Sequence, residues 1–457
     1  MASRNSRRDL LKAAAGIGAG LMLGGLFPSR AQAAPQPRRR FLFAYFDGGW
    51  DLLLGLDPRN PATTNAQTHL IETGYGQLGA RGQRGVRSVG ALQFGPAVHP
   101  DFLQVASRCS VIQGVSMDTA SHEVGRRYFL TGRFPRGITA VGSSTASEVV
   151  AQQGDLTPIP HLSVNVEAYA TGLPSFASAL SVGSLTDLFV ALRPFSNLDP
   201  AIEAAVKSYQ DGTGCAGTQA DAKGLVTNLQ RSIQRSRSYI TSQLDRIFDL
   251  TRMDPEMDAL RARYDTAAAG QDPTAPEILG FIGAQALKEG VSQAVSVRVA
   301  NRLDTHGQDW ASDQAPNQER GWKVLAAMLK DLSETPSKDA PGKTVLDETT
   351  VVAFSEFGRT PLFNSIRGRD HFVGNSVLVA GAGVKPGLVI GKSAEVGMMP
   401  VETDLMTGQG VDHATQEQKD SGAVQILTPK HVLATVLEAG GFDASYLRTP
   451  AIRALLA

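Results

Sequence analysis

The apolar positions of this chain fall into short runs separated by longer amphipathic stretches. Five runs have the length of buried strands: Phe41 to Phe46 (FLFAYF), Val111 to Val115, Val295 to Ala300 (VSVRVA), Thr350 to Phe354 (TVVAF) and Val377 to Ala380. Largely apolar runs of this kind, without strict alternation, suit strands covered on both faces. Helical spacing lies between several of them. Trp322, Leu325, Met328, Leu329 and Leu332 recur at three- and four-residue intervals ahead of the Thr350 run, and Thr428-Pro429 opens a helix that stops near Gly440-Gly441. Strand alternating with helix predicts an α/β fold: a mostly parallel central sheet with helices on both faces. Leu225, Leu229, Ile233, Ile240, Leu244, Ile247 and Phe248 mark a long amphipathic helix whose other face carries Arg231, Arg235, Arg237 and Arg246. It places a helical insertion at about residues 195–270.

The amino terminus has a different pattern. Ser6 to Lys12 (SRRDLLK) sets two adjacent arginines before an apolar stretch, Ala13 to Phe27, that ends at a small-residue site, Ala31-Gln32-Ala33. That is a twin-arginine export signal, so residues 1–33 are set apart from the fold and the main domain is expected over about residues 38–457. The stretch is too short and too rich in Gly and Ala to span a membrane. The expectation is a periplasmic or secreted protein, exported folded, with the twin-arginine translocase as its partner during export. Formal charge is zero over the whole chain, 44 basic residues against 44 acidic. Removing five basic residues and one acidic with the signal leaves 39 and 43, a net of −4. Nothing in that balance points to nucleic acid. With two cysteines, Cys109 and Cys215, zinc–thiolate and iron–sulfur clusters are excluded; the pair forms one disulfide or Cys109 is a buried thiol.

Candidate chemistry stands just past the ends of the strands. Phe46 runs into Asp47-Gly48-Gly49-Trp50-Asp51, Ala300 leads to Asp304-Thr305-His306, and Phe354 is followed by Ser355-Glu356-Phe357-Gly358-Arg359. In open α/β sheets, ligands bind outside the carboxyl ends of the strands, so carboxylates there converge on one crevice. Gly368-Arg369-Asp370-His371 adds a fourth element. Oxygen and imidazole donors in this mixture suit a divalent cation: Zn²⁺, Mn²⁺, Mg²⁺ or Ca²⁺. Each piece has a plainer reading: Asp47 as a turn former, Glu356 as the partner of Arg359, His371 and Asp370 as a surface pair. Joint placement after strands favours a shared site. His69, His99, His161, His413 and His431 have no such context and read as structural or surface histidines.

In this order, and behind the SRRDLLK signal, FDGGWD, DTHGQDW, SEFGRTP and GRDHF resemble an exported bacterial family labelled domain of unknown function 1501, over nearly the whole mature chain. By fold that family is similar to the alkaline phosphatase and sulfatase superfamily, whose members hold one or two divalent metals at strand ends and cleave phosphate or sulfate esters. The resemblance implies Asp47 as the first metal-binding aspartate, Asp304 and His306 as the Asp and His of the other metal position, and His371 as the late metal-binding histidine. Asp370 is then a further ligand or an orienting partner. Glu356 stands at the Asp of the superfamily's Ser-Asp-His-Gly and Phe357 at its His, so one ligand is conservatively changed and another lost. The remaining set suits one metal.

The run Arg126 to Arg133 (RRYFLTGR) is similar to the sulfatase stretch ending in Leu-Thr-Gly-Arg. That register puts His122 where a sulfatase carries the residue that becomes formylglycine, so formylglycine chemistry is not expected. Ser121 or Thr119 remains as an alkoxide nucleophile, with Arg126 holding the anionic ester and His122 binding metal or acting as acid or base. Ser121-His122 reads equally as the cap of a helix. Three functions fit these residues: a metal-dependent hydrolase of small-molecule or glycan esters, a catalytically degenerate binding or scaffold protein that keeps the fold, or a transferase acting on surface polysaccharide or lipid headgroups. Replacing Arg7 and Arg8 together by Lys is expected to trap the precursor in the cytoplasm. Cell fractionation decides it, and unimpaired export of the double variant refutes the signal.

Overall fold

Strand β1, Arg40–Phe46, is buried along its whole length, and its side chains divide between two cores. Leu42, Ala44 and Phe46 enter one apolar cluster; Phe41, Phe43 and Tyr45 enter another on the opposite face. The two-residue repeat of a strand makes that division, and covering both faces is why the run is apolar throughout. The computed structural model describes residues 39–193 and 243–457, together with positions 201, 204 and 208. Residues 1–33, read as an export signal, Cys215 and the positions from Leu225 to Ile240 read as helical lie outside the described residues.

Among the described residues, eight strands form the central sheet: β1, β2 Cys109–Ser116, β3 His161–Val164, β4 Leu180–Val182, β5 Ala294–Ala300, β6 Thr349–Phe354, β7 Gly374–Gly381 and β8 Val389–Ile390. Their spatial order is β8-β2-β7-β6-β1-β5-β3-β4. β1 is parallel to both its neighbours, β5 and β6, and β3 extends the parallel run to β4. β7 is antiparallel to β6 and β2, and β8 lies parallel to β2. The sheet is thus mostly parallel, with one reversed strand that comes directly after β6.

Helices cover both faces. α1 Pro100–Val105, α4 Pro276–Lys288 and α5 Ala315–Glu334 pack on the Leu42 side; α2 His122–Thr131, α3 Thr145–Gln153 and α6 Pro429–Gly440 pack on the Phe41 side. In α5 the spaced residues Trp322, Leu325, Met328, Leu329 and Leu332 are all buried. Each such side chain contributes roughly 1.5–3 kcal/mol relative to leaving it in water. α6 begins at Thr428 with Pro429 in its first turn and ends on Gly441 in the left-handed region, φ 79°. No described helix is long and apolar enough to cross a membrane.

Two expectations need correction or completion. The amphipathic helix read as far as Phe248 does not reach it: Gln243 has φ 53°, and Leu244–Phe248 form a short 3-10 turn. An αL residue ends a helix, whatever the spacing of apolar residues beyond it. Beyond that turn, Pro255–Tyr264 forms a separate helix. Cys109 is a free, buried thiol at the start of β2, and burial pushes its pKa up to about 12. The described residues between 39 and 457 form one compact unit.

α2 lies directly on the chain that leaves β6. A Cβ added at Gly125 would overlap the backbone carbonyl of Glu356 and approach the Glu356 Cβ to 3.3 Å. Ala ordinarily favours a helix over Gly by about 1 kcal/mol. Here backbone opposes the methyl, so Gly125→Ala is expected to destabilise by about 1–3 kcal/mol. Urea unfolding measures it, and a stabilised variant means that α2 is not seated on Glu356.

Candidate metal centre

β5, β1 and β6 are adjacent and parallel, so the loops leaving them emerge at one edge of the sheet. Close passage of these loops requires glycine at two places. Gly48 has φ +113° and a Cβ there would lie 2.7 Å from Asp304 N; Gly49 has φ +79° and its Cβ would lie 2.6 Å from the Phe357 ring. In the second loop Thr305 turns inward, its hydroxyl 2.9 Å from Gln314 Oε1, while Asp304 and His306 face outward. The third loop returns toward β7 through a two-residue antiparallel pairing, His371 with Arg359 and Phe372 with Gly358. His122 opens α2 on the far side of the cleft.

Three imidazoles and one carboxylate meet there. Asp304 Oδ1 lies 2.9 Å from His306 Nε2 and 3.1 Å from His371 Nε2, and Asp304 Oδ2 lies 3.3 Å from His122 Nε2. His306 Nε2 and His371 Nε2 are 3.0 Å apart. His122, Asp304 and His371 offer ligand atoms that all lie within 4.8 Å of one another. The other nitrogen of each ring is held: His122 Nδ1 by Glu356 Oε1 at 2.7 Å, His306 Nδ1 by Asp370 Oδ1 at 2.8 Å and His371 Nδ1 by the Ala120 carbonyl at 2.7 Å. Glu356 also accepts from the Gly48 N–H at 2.9 Å and the Ser355 hydroxyl at 2.9 Å. It is fully buried, whereas the Asp304 side chain is 47% exposed, so the cluster is closed below and open above.

A buried scaffold that sequence reasoning did not single out holds the loops. Arg359 donates to the carbonyls of Gly48, Gly49 and Leu303 and to Asp304 Oδ1 at 2.7 Å. Arg369 pairs with Asp51 at 2.9 Å, both side chains almost wholly buried, and Trp310 Nε1 donates to the same Asp51 oxygen at 2.7 Å. The signal was present: Asp51, Trp310, Arg359 and Arg369 all stand inside the four motifs that carry the candidate ligands.

Charge is set by this geometry. Desolvation works to raise the Asp304 pKa, but the Arg359 hydrogen bond and charge, with the contact to His371, outweigh it and hold the carboxyl well below the usual range. Burial likewise opposes ionisation of Glu356, yet the His122 hydrogen bond and charge and the Ser355 hydroxyl lower its pKa. Burial lowers the His122 pKa, and Glu356 together with Asp304 more than reverses that, leaving it raised. Both acids are therefore anionic at neutral pH.

The remaining candidates lie at the margin. Asp47 accepts from the Tyr45 hydroxyl at 2.9 Å and pairs with Arg298 at 3.5 Å, so its contacts are with these groups and not with the histidines. Asp370 touches the cluster through His306 Nδ1. Ser121 stands at the N-cap of α2 without a side-chain cap bond, its hydroxyl 3.4 Å from Glu123 Oε2. Arg126 is engaged by Glu167 at 2.8 Å. Phe357 packs between His122 and His371, with ring centroids at 4.7 and 4.4 Å.

The family described as a protein of unknown function (DUF1501) matches residues 38–409. No curated protein matches the chain. Among solved structures, the crystal structure of Ps i-CgsB aligns over 91% of this chain and 75% of its own, with a TM-score of 0.38 and 10% identity. The PsFucS1 sulfatase from Pseudoalteromonas sp. aligns over 93% and 73%, with a TM-score of 0.35 and 11% identity.

Asp47 gives this site a measurable cost. Desolvation, then the charge of Glu356, raise its pKa above the ordinary 3.8 despite Tyr45 and Arg298. An acid with a raised folded pKa binds its proton more tightly when folded, so stability falls as pH climbs from 3.8 through the raised value. In chelator-treated protein, Asp47→Asn is expected to raise the urea midpoint at about pH 7, with the gain shrinking toward about pH 4. A variant less stable than wild type at neutral pH contradicts this.

Proposed function

Because the chain belongs to the DUF1501 family, which is described only as proteins of unknown function, we propose from the site itself that it is an exported, divalent-metal-dependent hydrolase of sulfate or phosphate esters. One observation carries the reading: Asp304, His306 and His371 present donor atoms about 3 Å apart at the open carboxyl edge of the sheet. The donor chemistry fits a divalent cation, as does the buried Nε2 of His122, which has no hydrogen-bond partner. When bound, such a cation polarises an ester oxygen and favours deprotonation of the attacking group.

The chain's own residues supply the rest. Arg359 keeps Asp304 ionised and fixed, so the anionic ligand is in place before the cation or ester arrives. Asp370 and the Ala120 carbonyl set the tilt of the His306 and His371 rings. The Ser121 hydroxyl is turned to Glu123 and the Thr119 hydroxyl accepts from the Ser121 N–H, which favours water over either as the attacking group. Residues 1–33 carry the export signal in this reading, and passage through the twin-arginine translocase in the folded state suits a protein that acquires metal before export.

A second reading has its own support. Phe357 is buried against the histidines where the superfamily carries a ligand, which fits a binding or scaffold protein with one structural metal and no turnover. Elemental analysis of the purified protein, with a panel of sulfate and phosphate esters, separates the two. Asp304→Asn combined with His306→Ala is expected to strip the metal, since it removes one charge and one donor. His371→Ala is expected to abolish cleavage and Ser121→Ala to cost only modestly. Unchanged metal stoichiometry in the double variant removes those two residues from the ligand set. A metal-loaded wild type that cleaves no ester leaves the scaffold reading in its place.

A further inference from the structure

Hydrogen-bonding partners determine where the protons of the three imidazoles sit. A backbone carbonyl only accepts, so His371 Nδ1, 2.7 Å from Ala120 O, carries the proton. Asp370 and Glu356 are ionised acceptors, so Nδ1 of His306 and of His122 are the donors there too. In the neutral ring the other nitrogen then bears a lone pair. With the rings neutral, as metal binding requires, three Nε2 lone pairs face the Asp304 carboxylate, those of His306 and His371 3.0 Å apart. His122 Nε2 is buried and makes no aligned hydrogen bond. Arg359 meets Asp304 Oδ1 and, at 3.4 Å, His306 Nε2; a bound cation offsets the remaining repulsion among the lone pairs and the carboxylate.

Resting on the metal reading above, we propose that His122 is a direct ligand. It completes a set of three imidazoles and one carboxylate with Asp304, His306 and His371, so that an ester oxygen or water joins as a fifth ligand on the open side, while Glu356 is the residue that positions His122 and not a ligand itself. Glu356 is fully buried and both its oxygens are taken, by His122 and Gly48 on one side and Ser355 on the other. A carboxylate so engaged has its lone pairs directed away from the cleft. It corresponds to the carboxylate–histidine–metal arrangement in which the outer group fixes the tautomer and ring plane. Ligands about 2.0–2.1 Å from a tetrahedral ion are separated by roughly 3.3 Å, close to the 2.9–3.1 Å among Asp304 Oδ1, His306 Nε2 and His371 Nε2, while His122 Nε2 lies 3.3 Å from the other Asp304 oxygen and the His122 ring offers a nitrogen within 4.8 Å of one of His371. Three nitrogens to one carboxylate select a borderline transition cation such as Zn²⁺ over Mg²⁺ or Ca²⁺, which take oxygen.

The test uses the full exported chain, stripped with chelator and titrated with Zn²⁺, and with Co²⁺ as a spectroscopic reporter. One equivalent is expected to bind, with the intense visible absorption of four-coordinate Co²⁺ and no displacement by millimolar Mg²⁺ or Ca²⁺. X-ray absorption of the Zn²⁺-loaded wild type is expected to show three imidazoles; two or fewer overturns the assignment whether or not any variant folds. His122→Ala is expected to change the Co²⁺ spectrum. Glu356→Gln is expected to weaken Zn²⁺ binding about 10–100-fold while leaving the shape of that spectrum intact. A changed spectrum in Glu356→Gln makes Glu356 a ligand and refutes its positioning role. Two imidazoles with ester cleavage intact sinks this inference and spares the hydrolase; three imidazoles without cleavage does the reverse. Failure of the wild type to bind any of these ions means that protons fill the cluster, and both fall.

Discussion

Much of the site hangs on satisfying one buried guanidinium. Arg359 is wholly inaccessible, and a charge there without partners costs several kcal/mol. Its N–H groups reach the Gly48 and Gly49 carbonyls after β1, the Leu303 carbonyl after β5, and the Asp304 carboxylate. The loops therefore cannot separate without stranding the charge. Asp51 does the same for Arg369 one layer down, with Trp310 closing the contact. Two buried arginines set the distances among the exposed donors.

How much of this was legible depends on the kind of signal. The strands were readable because two-sided burial leaves an apolar run, and the sites after them because a ligand edge results from parallel order. Direction was not readable: Val377 to Ala380 looks the same whichever way it points, and only the short return from β6 makes β7 antiparallel. Within each motif, the residues that face the cleft and those that lock the loops are of similar chemical type. Asp47 and Asp51 flank the same Gly-Gly-Trp, and spacing alone does not say that Asp51 is the one buried under Trp310. Glu356 posed the same difficulty. Its place after a strand suggested a ligand, whereas its contacts are with His122, Gly48 and Ser355. His122, read between nucleophile position, acid–base group and ligand, stands beside Asp304 because α2 packs on Gly125 against the end of β6.

The arrangement is also asymmetric. The side toward Asp304 is rich in imidazole and open to solvent, while the side toward Asp47 is held by Tyr45 and Arg298 and backed by Glu356. Phe357 lies between His122 and His371, an apolar ring against two imidazoles. Low polarity there strengthens the remaining electrostatic contacts, because fewer waters compete for them.

The reversal between β6 and β7 has an evolutionary corollary. Glu356 and Arg359 leave along one leg, His371 and Phe372 return along the other, and the two legs are clasped by backbone pairing at Gly358–Arg359. Phe363, packed on Trp310, and Asn364, bonded to the His306 carbonyl and to Asp370, anchor the excursion between the legs, which leaves Ile366 at its exposed tip. Lengthening or rewriting a loop closed in this way costs little, since closure entropy grows only slowly with length. Relatives can therefore vary the rim of the cleft at this tip, and with it what the cleft admits, while the donors beneath keep their places.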